Sequence, residues 1–173
     1  MECAIDRLLA LRVADVMTKH VVHISAWQTM TEVARIFGTD DVSAAPVVDD
    51  VGRCIGILSA TDFLKRERKC SENERPVFAM QNHALVSKEP GKPFDIEATP
   101  REIVRTHMTP EVHSVEAGIS LIVAARVMAD QHVHRLPVID DSGHPVGILS
   151  TMDIVASLIN AIDEWKSSLA KQD

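Results

Sequence analysis

The chain has 173 residues and a formal net charge of −7; 46% of its residues are hydrophobic and 25% are charged. These values are normal for a globular protein of one ordinary domain, or of two small units that share a core. With only 3% aromatic residues, an acidic surface lacks the basic and stacking groups that nucleic-acid binding needs, so nucleic acid is not expected as a partner.

Cysteine usage and hydropathy indicate the compartment. The three cysteines, Cys3, Cys54 and Cys70, are an odd number without close spacing, which argues against a disulfide framework. Reduced thiols are typical of cytoplasmic proteins. No apolar run approaches the ~20 residues that span a bilayer, and charged residues interrupt the N-terminal apolar stretch, unlike a secretory signal. We therefore expect a cytoplasmic protein without a membrane partner.

Local signals predict the elements of the first half. Thr29 and Glu32 form a capping box, and Gly38 is typical of a helix end. Pro46 lacks a backbone donor, so it is expected at a strand's start or at an edge. The predicted order is β-α-β-β-α: a strand at Val21–Ile24, a helix after Thr29, a strand at Ala45–Val48, a turn at Asp49–Gly52, a strand at Cys54–Leu58 and a second helix opened by Ser59-Ala60-Thr61-Asp62.

Residues 65–103 separate this half from the next. The charged first part is expected to extend the helix before Pro76. The stretch from Lys88 to Pro100 contains Pro and Gly at four positions, which is typical of an irregular loop. A helix is expected to restart with Thr99 as N-cap and Pro100 at the first helical position.

The second half repeats the first. Shifted by 91 residues, residues 15–64 align with 106–155 without a gap and with 17 identities in 50 positions, where chance gives roughly three. We conclude that the two halves arose by duplication. The predicted elements are a strand at 112–115, a helix at about 120–130, a strand at 136–139, a turn at 140–144, a strand at 145–149 and a helix from 151.

The last helix carries more apolar surface than one small half needs. Its apolar stripe consists of Ile154, Leu158, Ile162, Trp165 and Leu169, which recur at spacings of three and four residues. We expect this stripe to pack either on the N-terminal segment around Leu8, Leu9 and Leu11 or on a second chain.

The strongest local pattern runs from Gly56 to Asp62 and returns from Gly147 to Asp153. One interpretation is structural: Ser at the N-cap and Asp three residues later satisfy free backbone donors of the helix. The other is functional: the helix N-terminus favours an anion, and the carboxylate would accept hydrogen bonds from vicinal hydroxyls such as those of a ribose. Neither interpretation excludes the other, and the glycines would permit close approach of a ligand or of the opposite half.

An ordered set of short patterns resembles the CBS domain. In the first half these are Val16-Met17-Thr18, Ala45-Pro46-Val47-Val48-Asp49 and Gly56 to Asp62; in the second they are His107-Met108-Thr109, Leu136-Pro137-Val138-Ile139-Asp140 and Gly147 to Asp153. No single tripeptide is specific, but the set occurs twice in register. The resemblance covers about two thirds of the chain and misses the termini and 65–103.

The resemblance implies a mixed α/β (α+β) fold in which two β-α-β-β-α CBS motifs pack with pseudo-twofold symmetry and leave two clefts. Family members bind adenosine phosphates or S-adenosylmethionine there and regulate an attached or partner protein. The implied organisation is an N-terminal segment at 1–14, CBS motif 1 at 15–66, a linker or insertion at 67–103, CBS motif 2 at 104–160 and the end of the C-terminal helix at 161–173.

The first cleft is expected to bind the ribose through Asp62. The resemblance implies that its residues are Ser59, Thr61, Asp62, Glu111, Val112, His113, His134, Arg135 and Pro137. The segment from His134 to Asp140 resembles the phosphate-contacting segment of a nucleotide-binding member of the family. By that analogy His134 and Arg135 reach a phosphate, and a guanidinium suits this role because it holds phosphate oxygens in two-point contact. Residues 111–113 would flank the base.

The second cleft is expected to use Asp153. Its residues by position are His20, Val21, Val22, Ala44, Pro46, Ser150 and Asp153. Ser43-Ala44 replaces His134-Arg135 and brings no charge, so this cleft is expected to be weaker or to suit a less charged ligand. The alternatives are a surface ion pair of Arg135 with Asp140 or Asp141, and a merely exposed His134.

Other patterns do not predict a catalytic or metal site. His132-x-His134 and His20-x-x-His23 could chelate an ion, but no acidic or cysteine partner lies at a recognised zinc spacing. The sequence contains no P-loop, no Gly-rich dinucleotide fingerprint and no nucleophile motif. An enzyme built on 65–103 would lack a catalytic constellation.

We therefore expect a regulatory, non-enzymatic module that requires no cofactor and senses AMP, ADP or ATP, with S-adenosylmethionine as the alternative ligand. The long apolar stripe favours a homodimer, and the regulated protein is unknown. The competing hypothesis is an interaction and oligomerisation scaffold whose clefts stay empty and whose Ser and Asp residues only cap helices.

Overall fold

The structure is a computed structural model that describes residues 4–19, 21–39, 42–70, 78–81, 84–87, 102–110 and 112–170. In chain order its elements are α1 (Ala4–Ala10), α2 (Val13–Val16), β1 (Thr18–Lys19), β2 (Ile24–Ser25), α3 (Met30–Thr39), β3 (Ala44–Val48), β4 (Cys54–Ser59), α4 (Ala60–Cys70), β5 (Phe78–Gln81), β6 (Ala84–Ser87), a 3₁₀ turn (Val104–Thr106), β7 (Thr109–Pro110), β8 (Val115–Glu116), α5 (Leu121–Asp130), β9 (Arg135–Ile139), β10 (Pro145–Ser150) and α6 (Thr151–Leu169).

The chain divides into two compact units. The first-repeat unit is Val22–Val112, and the second-repeat unit joins Met1–Val21 to His113–Asp173. The N-terminal segment therefore groups with the second repeat and not with the first, to which it is adjacent in sequence. The domain boundaries expected from the repeat remain a prediction.

The first-repeat unit is built on a four-stranded sheet with the order β2-β3-β4-β7. The β3–β4 hairpin is antiparallel, β2 runs parallel to β3, and β7 pairs antiparallel with β4. Helices α3 and α4 close its core, where the rings of Phe37 and Phe63 lie 5.7 Å apart in a tilted arrangement. Most of the core is aliphatic and comes from both helices and the hairpin.

The second-repeat unit has the same plan. Its sheet has the order β1-β10-β9-β8, with an antiparallel β9–β10 hairpin and a parallel β8. Its core contains Leu121, Leu136 and Leu149, together with Val13 from the N-terminal segment. The two cores are therefore built from equivalent positions of the repeat.

Each sheet is completed by the segment that leads into the other repeat. β1 precedes the first repeat but pairs with β10, and β7 precedes the second repeat but pairs with β4. Val13 and Val104 hold equivalent positions in these segments, and both side chains are fully buried. Backbone bonds repeat as well: the N–H of Val13 donates to Ile119 and that of Val104 to Gln28. Each repeat thus contributes its leading segment to the sheet of the other repeat; we call this the exchange of leading segments.

The structure confirms the predicted helices α3, α4, α5 and α6 and the two predicted hairpins. Helix α3 begins at the Thr29 capping box: the Thr29 N–H donates to Glu32 Oε2 at 2.8 Å, and the Glu32 N–H donates to Thr29 Oγ1 at 3.2 Å. Helices α4, α5 and α6 begin within one residue of their predicted starts, and both hairpins lie where the repeat placed them.

Three local features differ from the prediction to different degrees. Residues 21–23 and 112–114 are not strand. The paired residues lie on either side of them: β1 and β2 flank the first stretch, and β7 and β8 flank the second. Gly38 lies inside α3, which continues to Thr39. Pro46 was expected at a strand's start or at an edge; it is the third residue of β3, at a point where β3 has no pairing with β2. It is tolerated because β2 pairs only with Val47 and Val48, so no ladder bond to β2 needs a donor at Pro46.

The segment between the repeats contains an antiparallel hairpin, β5–β6, that the sequence did not predict. The described part of α4 ends at Cys70. The predicted loop from Lys88 to Pro100 and the predicted helix start at Thr99 lie outside the described residues.

Helix α6 packs against α1 and α5, and Arg7 of α1 forms an ion pair with Glu164 of α6. This is the first of the two alternatives expected for the apolar stripe. However, Leu158, Ile162 and Trp165 each remain more than a third exposed, and the side chain of Leu169 lies outside the described part. None of the helices described here is long and apolar enough to cross a membrane.

Candidate functional site

The Ser59–Asp62 segment forms a closed hydrogen-bond cluster where β4 passes into α4. Asp62 Oδ2 accepts from the Ser59 N–H at 2.9 Å and from the Ser59 hydroxyl at 2.7 Å. Because the Ser59 hydroxyl donates to Asp62, the Thr61 hydroxyl is the donor in their 2.7 Å contact. Lys65 donates from Nζ to Asp62 Oδ1 at 3.0 Å, and Asp62 is only 6% exposed. Both carboxylate oxygens of Asp62 are thus engaged.

In the equivalent segment of the second-repeat unit, the serine makes the same two hydrogen bonds to the aspartate. Asp153 Oδ2 accepts from the Ser150 N–H at 2.7 Å and from the Ser150 hydroxyl at 2.6 Å. The Asp153 N–H donates back to Ser150 Oγ at 3.2 Å, which completes a capping box at the start of α6. The structural interpretation is therefore correct for Ser150 and Asp153, and it leaves the ribose-binding role open.

The glycine before each segment is needed for close approach of the exchanged strand. A Cβ at Gly56 would lie 2.8 Å from the carbonyl oxygen of Thr109, and one at Gly147 would lie 3.0 Å from that of Thr18. Side-chain atoms of Met108 and Met17 are closer still. The neighbour that these glycines admit is thus the leading segment of the other repeat.

The register places Ala44 opposite Ser59 and Arg135 opposite Ser150. Pro46 and Pro137 are buried in the same two strands. His134 is exposed, and its carbonyl oxygen accepts from the N–H and the hydroxyl of Thr151 at 3.0 and 3.1 Å. His134 and Arg135 belong to one unit and Asp62 to the other. Their expected contact with a phosphate bound at the Asp62 site therefore stays a prediction.

The remaining predicted residues lie on connections between short strands. Val21, Val22 and Val112 are half-buried, and His113 is exposed. His20 and Glu111 lie outside the described residues. Their predicted role beside the base is therefore untested.

Two acidic residues have structural roles in the hairpin turns. Asp49 Oδ1 accepts from the N–H groups of Val51 and Arg53 at 3.0 and 2.8 Å. Asp140 does the same with Ser142 and His144, and the backbone donation from His144 is the main reason that the pKa of Asp140 is lowered. These aspartates stabilise turns, although the repeat conserves them as strictly as Asp62 and Asp153.

Lys65 was not predicted from the sequence as a site residue. The signal that could have found it is its position three residues after Asp62 in a predicted helix, where side chains share a face. In the second repeat the equivalent residue is Ala156, and Thr61 is replaced by Met152. Within the described ranges, no three His, Cys, Asp or Glu side chains come together as a metal site.

The family follows from the pattern that both units repeat. A profile of the CBS domain matches residues 13–69 and 101–160, which is more than half of the chain. The chain belongs to the CBS domain family. Because the profile matches twice, the chain is a CBS pair, as the repeat predicted.

Two relatives show how far this likeness extends. The CBS pair is 27% identical over 155 residues to protein MJ1426 of Methanocaldococcus jannaschii, and the alignment covers 85% of this chain and 90% of that protein. It is 28% identical over 137 residues to the inosine-5′-monophosphate dehydrogenase of Halobacterium salinarum, but that alignment covers only 22% of the enzyme. Likeness to so small a part of an enzyme does not transfer its activity.

Two solved structures have the same fold. Arabidopsis thaliana CBSX2, solved in complex with AMP, superposes with a TM-score of 0.64 at 22% identity, covering 87% of this chain and 98% of that one. The CBS pair of MJ0100, solved with 5′-methylthioadenosine and S-adenosyl-L-methionine, gives 0.63 at 19% identity, covering 84% and 98%. These structures confirm the predicted mixed α/β CBS-pair fold.

Proposed function

We propose that this CBS pair is a regulatory module that senses an adenine nucleotide through Asp62 and Asp153. The observation that carries the proposal is that both units hold an aspartate carboxylate at a helix start, fixed by a backbone N–H and a serine hydroxyl. A carboxylate fixed in this way is preorganised to accept hydrogen bonds from a vicinal diol. A ribose offers that diol with free 2′- and 3′-hydroxyls.

The ligands of the structural neighbours support this class of compound. CBSX2 was solved with AMP, and the MJ0100 pair with 5′-methylthioadenosine and S-adenosyl-L-methionine. All three compounds contain an adenosine group. We therefore propose AMP, ADP or ATP as the ligand and retain S-adenosylmethionine as the alternative.

We further propose, from the family resemblance, that His134 and Arg135 contact the phosphate. A guanidinium can hold two phosphate oxygens at once, and the first repeat has uncharged Ser43 and Ala44 at these positions. The two aspartate sites are thus expected to differ in their preference for phosphate.

The module is proposed to act on other polypeptides and not on a substrate. CBS pairs are generally regulatory, and the two motifs occupy most of this chain. The exposed apolar side of α5 and α6 favours association with a second copy through these helices. A cytoplasmic location remains our prediction.

Thermal shift with AMP, ADP, ATP and S-adenosylmethionine tests the ligand. A ligand at a hundred times its Kd should stabilise the folded protein by about 2.7 kcal/mol. Asp62→Ala should weaken this response, and Arg135→Ala should weaken it for AMP. Asp130→Ala, which changes an exposed aspartate at the end of α5, is the matched control and should respond like the wild type.

A scaffold function is the second candidate, and the exposed apolar residues of α6 favour it. In that case Ser150 and Asp153 only cap the helix. If none of the four compounds raises the melting temperature of the wild type, the scaffold replaces the sensor.

A further inference from the structure

The two aspartate sites differ in one contact, which is present at Asp62 and absent at Asp153. Asp62 Oδ1 accepts from Lys65 Nζ at 3.0 Å. Asp153 Oδ1 has no hydrogen-bond or ion-pair partner within the described part of the chain, because position 156 is alanine. One carboxylate is therefore neutralised by a local cation, and the other keeps an oxygen available.

We infer that Lys65 makes the Asp62 site select phosphorylated over unphosphorylated adenine ligands, whereas the Asp153 site does not discriminate in this way. The inference rests on the proposed function, in which both aspartates hold a ribose. It adds Lys65 to the proposed site as the residue that determines the preference for phosphorylated ligands.

The first step concerns a ligand without phosphate. The Ser59 N–H and hydroxyl occupy Asp62 Oδ2, so a ribose diol has to use Oδ1, which the Lys65 ammonium already occupies. An oxygen with two lone pairs can accept a second donor, but the hydroxyl must then compete with a cation. A nucleoside thus meets a partly occupied acceptor at Asp62 and an open one at Asp153.

The second step concerns the phosphate. The Lys65 side chain is 69% exposed although its carboxylate partner Asp62 is only 6% exposed, so the ammonium stays accessible to a ligand from the solvent side. Its flexible stem and three donors allow the ammonium to turn towards an anion or to bridge it to Asp62. A phosphorylated ligand therefore offers Lys65 a second partner. When the ammonium binds the phosphate, it no longer competes with the ribose hydroxyl for Asp62 Oδ1.

The remaining neighbours of Asp62 agree with this assignment. The Thr61 hydroxyl donates to Ser59 Oγ, so the polar groups beside the carboxylate are already ordered around it. At the equivalent position, Met152 is highly exposed and contributes no hydroxyl. The Asp62 site is thus more polar than the Asp153 site, and it contains an exposed cation.

Calorimetric titration of the full chain with AMP and with adenosine tests this inference. Asp153→Asn isolates the Asp62 site, and Asp62→Asn isolates the Asp153 site, because an amide keeps the acceptor for the serine but presents a donor in place of Oδ1. On the Asp153→Asn background, Lys65→Met should reduce the preference for AMP over adenosine by about tenfold, the loss expected for one hydrogen bond to a charged group. Lys65→Arg should retain most of the preference.

The repeat supplies a matched gain-of-function variant. On the Asp62→Asn background, Ala156→Lys should create a preference for AMP over adenosine at the Asp153 site. Lys166→Met, which removes an exposed lysine further along α6, should leave the preference for AMP over adenosine unchanged at both aspartate sites. Circular dichroism of each variant verifies that α4 and α6 are folded.

The outcomes separate this inference from the proposed function. If the wild type binds AMP and adenosine but Lys65→Met leaves their affinity ratio unchanged on the Asp153→Asn background, the role of Lys65 is wrong and the sensor remains. If the wild type binds none of AMP, ADP, ATP and S-adenosylmethionine, the proposed function fails, and the role of Lys65 fails with it.

Discussion

Gly56 and Gly147 occupy equivalent positions at which a side chain has no room. The obstacle to a Cβ at Gly56 is partly backbone, the Thr109 carbonyl oxygen at 2.8 Å, which cannot move away as a flexible side chain would. At the scale of single residues, these glycines determine whether β7 and β1 can join their sheets.

Gly56→Ala should therefore lower the free energy of unfolding by about 1–3 kcal/mol, the usual cost of forcing extra volume into a packed site. Urea unfolding followed by circular dichroism measures the change. The matched control is Gly38→Ala in α3, where a Cβ meets nothing within 4 Å and alanine should stabilise the helix by roughly 0.5–1 kcal/mol. Equal stability of Gly56→Ala and the wild type would contradict the close approach of β7.

The candidate site was only partly predictable at this scale. Ser59, Asp62 and their second-repeat equivalents could be predicted because the capping pattern is local and occurs twice. Asp49 and Asp140 repeat equally well but stabilise turns, so repetition alone does not separate a site from a turn. Lys65 could not be predicted in this way, because the equivalent residue in the second repeat is Ala156 and the two halves do not share it.

At the scale of elements, the helices and hairpins were predictable and the sheet edges were not. Capping residues and the hairpin turn lie within a few residues of the structure they determine. In contrast, β1 and β7 are two residues long and gain their pairing from a distant strand. Nothing in their local sequence could reveal this exchange, which is why the strands were expected at 21–24 and 112–115.

Val13 and Val104 should therefore behave as core residues although they lie in connecting segments. Val13→Ala or Val104→Ala should each lower the free energy of unfolding by about 2 kcal/mol, from lost burial and the cavity left behind. Val51→Ala, at an exposed position of the β3–β4 turn, is the control and should change stability by less than about 0.5 kcal/mol. Chemical denaturation measures all three, and a Val13 variant as stable as the control would refute the exchange of leading segments.

At the scale of the whole molecule, α5 and α6 leave an apolar face uncovered. The exposed members of this face are Ile122, Val123, Val155, Leu158, Ile159, Ile162 and Trp165. Contiguous exposed apolar residues on neighbouring helices are typical of an association surface. The homodimer expected from the apolar stripe of the sequence remains a prediction, and this face is where we place its contact.

We predict that the chain dimerises through this face and that Ile159→Glu is a monomer, because the substitution places a charge on the face at a residue that is 52% exposed. Sedimentation equilibrium measures the mass of each species. Val51→Glu, at a more exposed position in the β3–β4 turn, should leave the mass unchanged. A wild-type chain that sediments as a monomer at every concentration would rule out this face as a contact between copies.

The central claim is that the two repeated aspartates hold the ribose of an adenine nucleotide, and a crystal structure of the AMP complex tests it most directly. The account predicts that a carboxylate oxygen of Asp62 or Asp153 lies about 2.5–3.0 Å from the 2′- or 3′-hydroxyl. An ordered AMP molecule whose ribose contacts neither aspartate would contradict it.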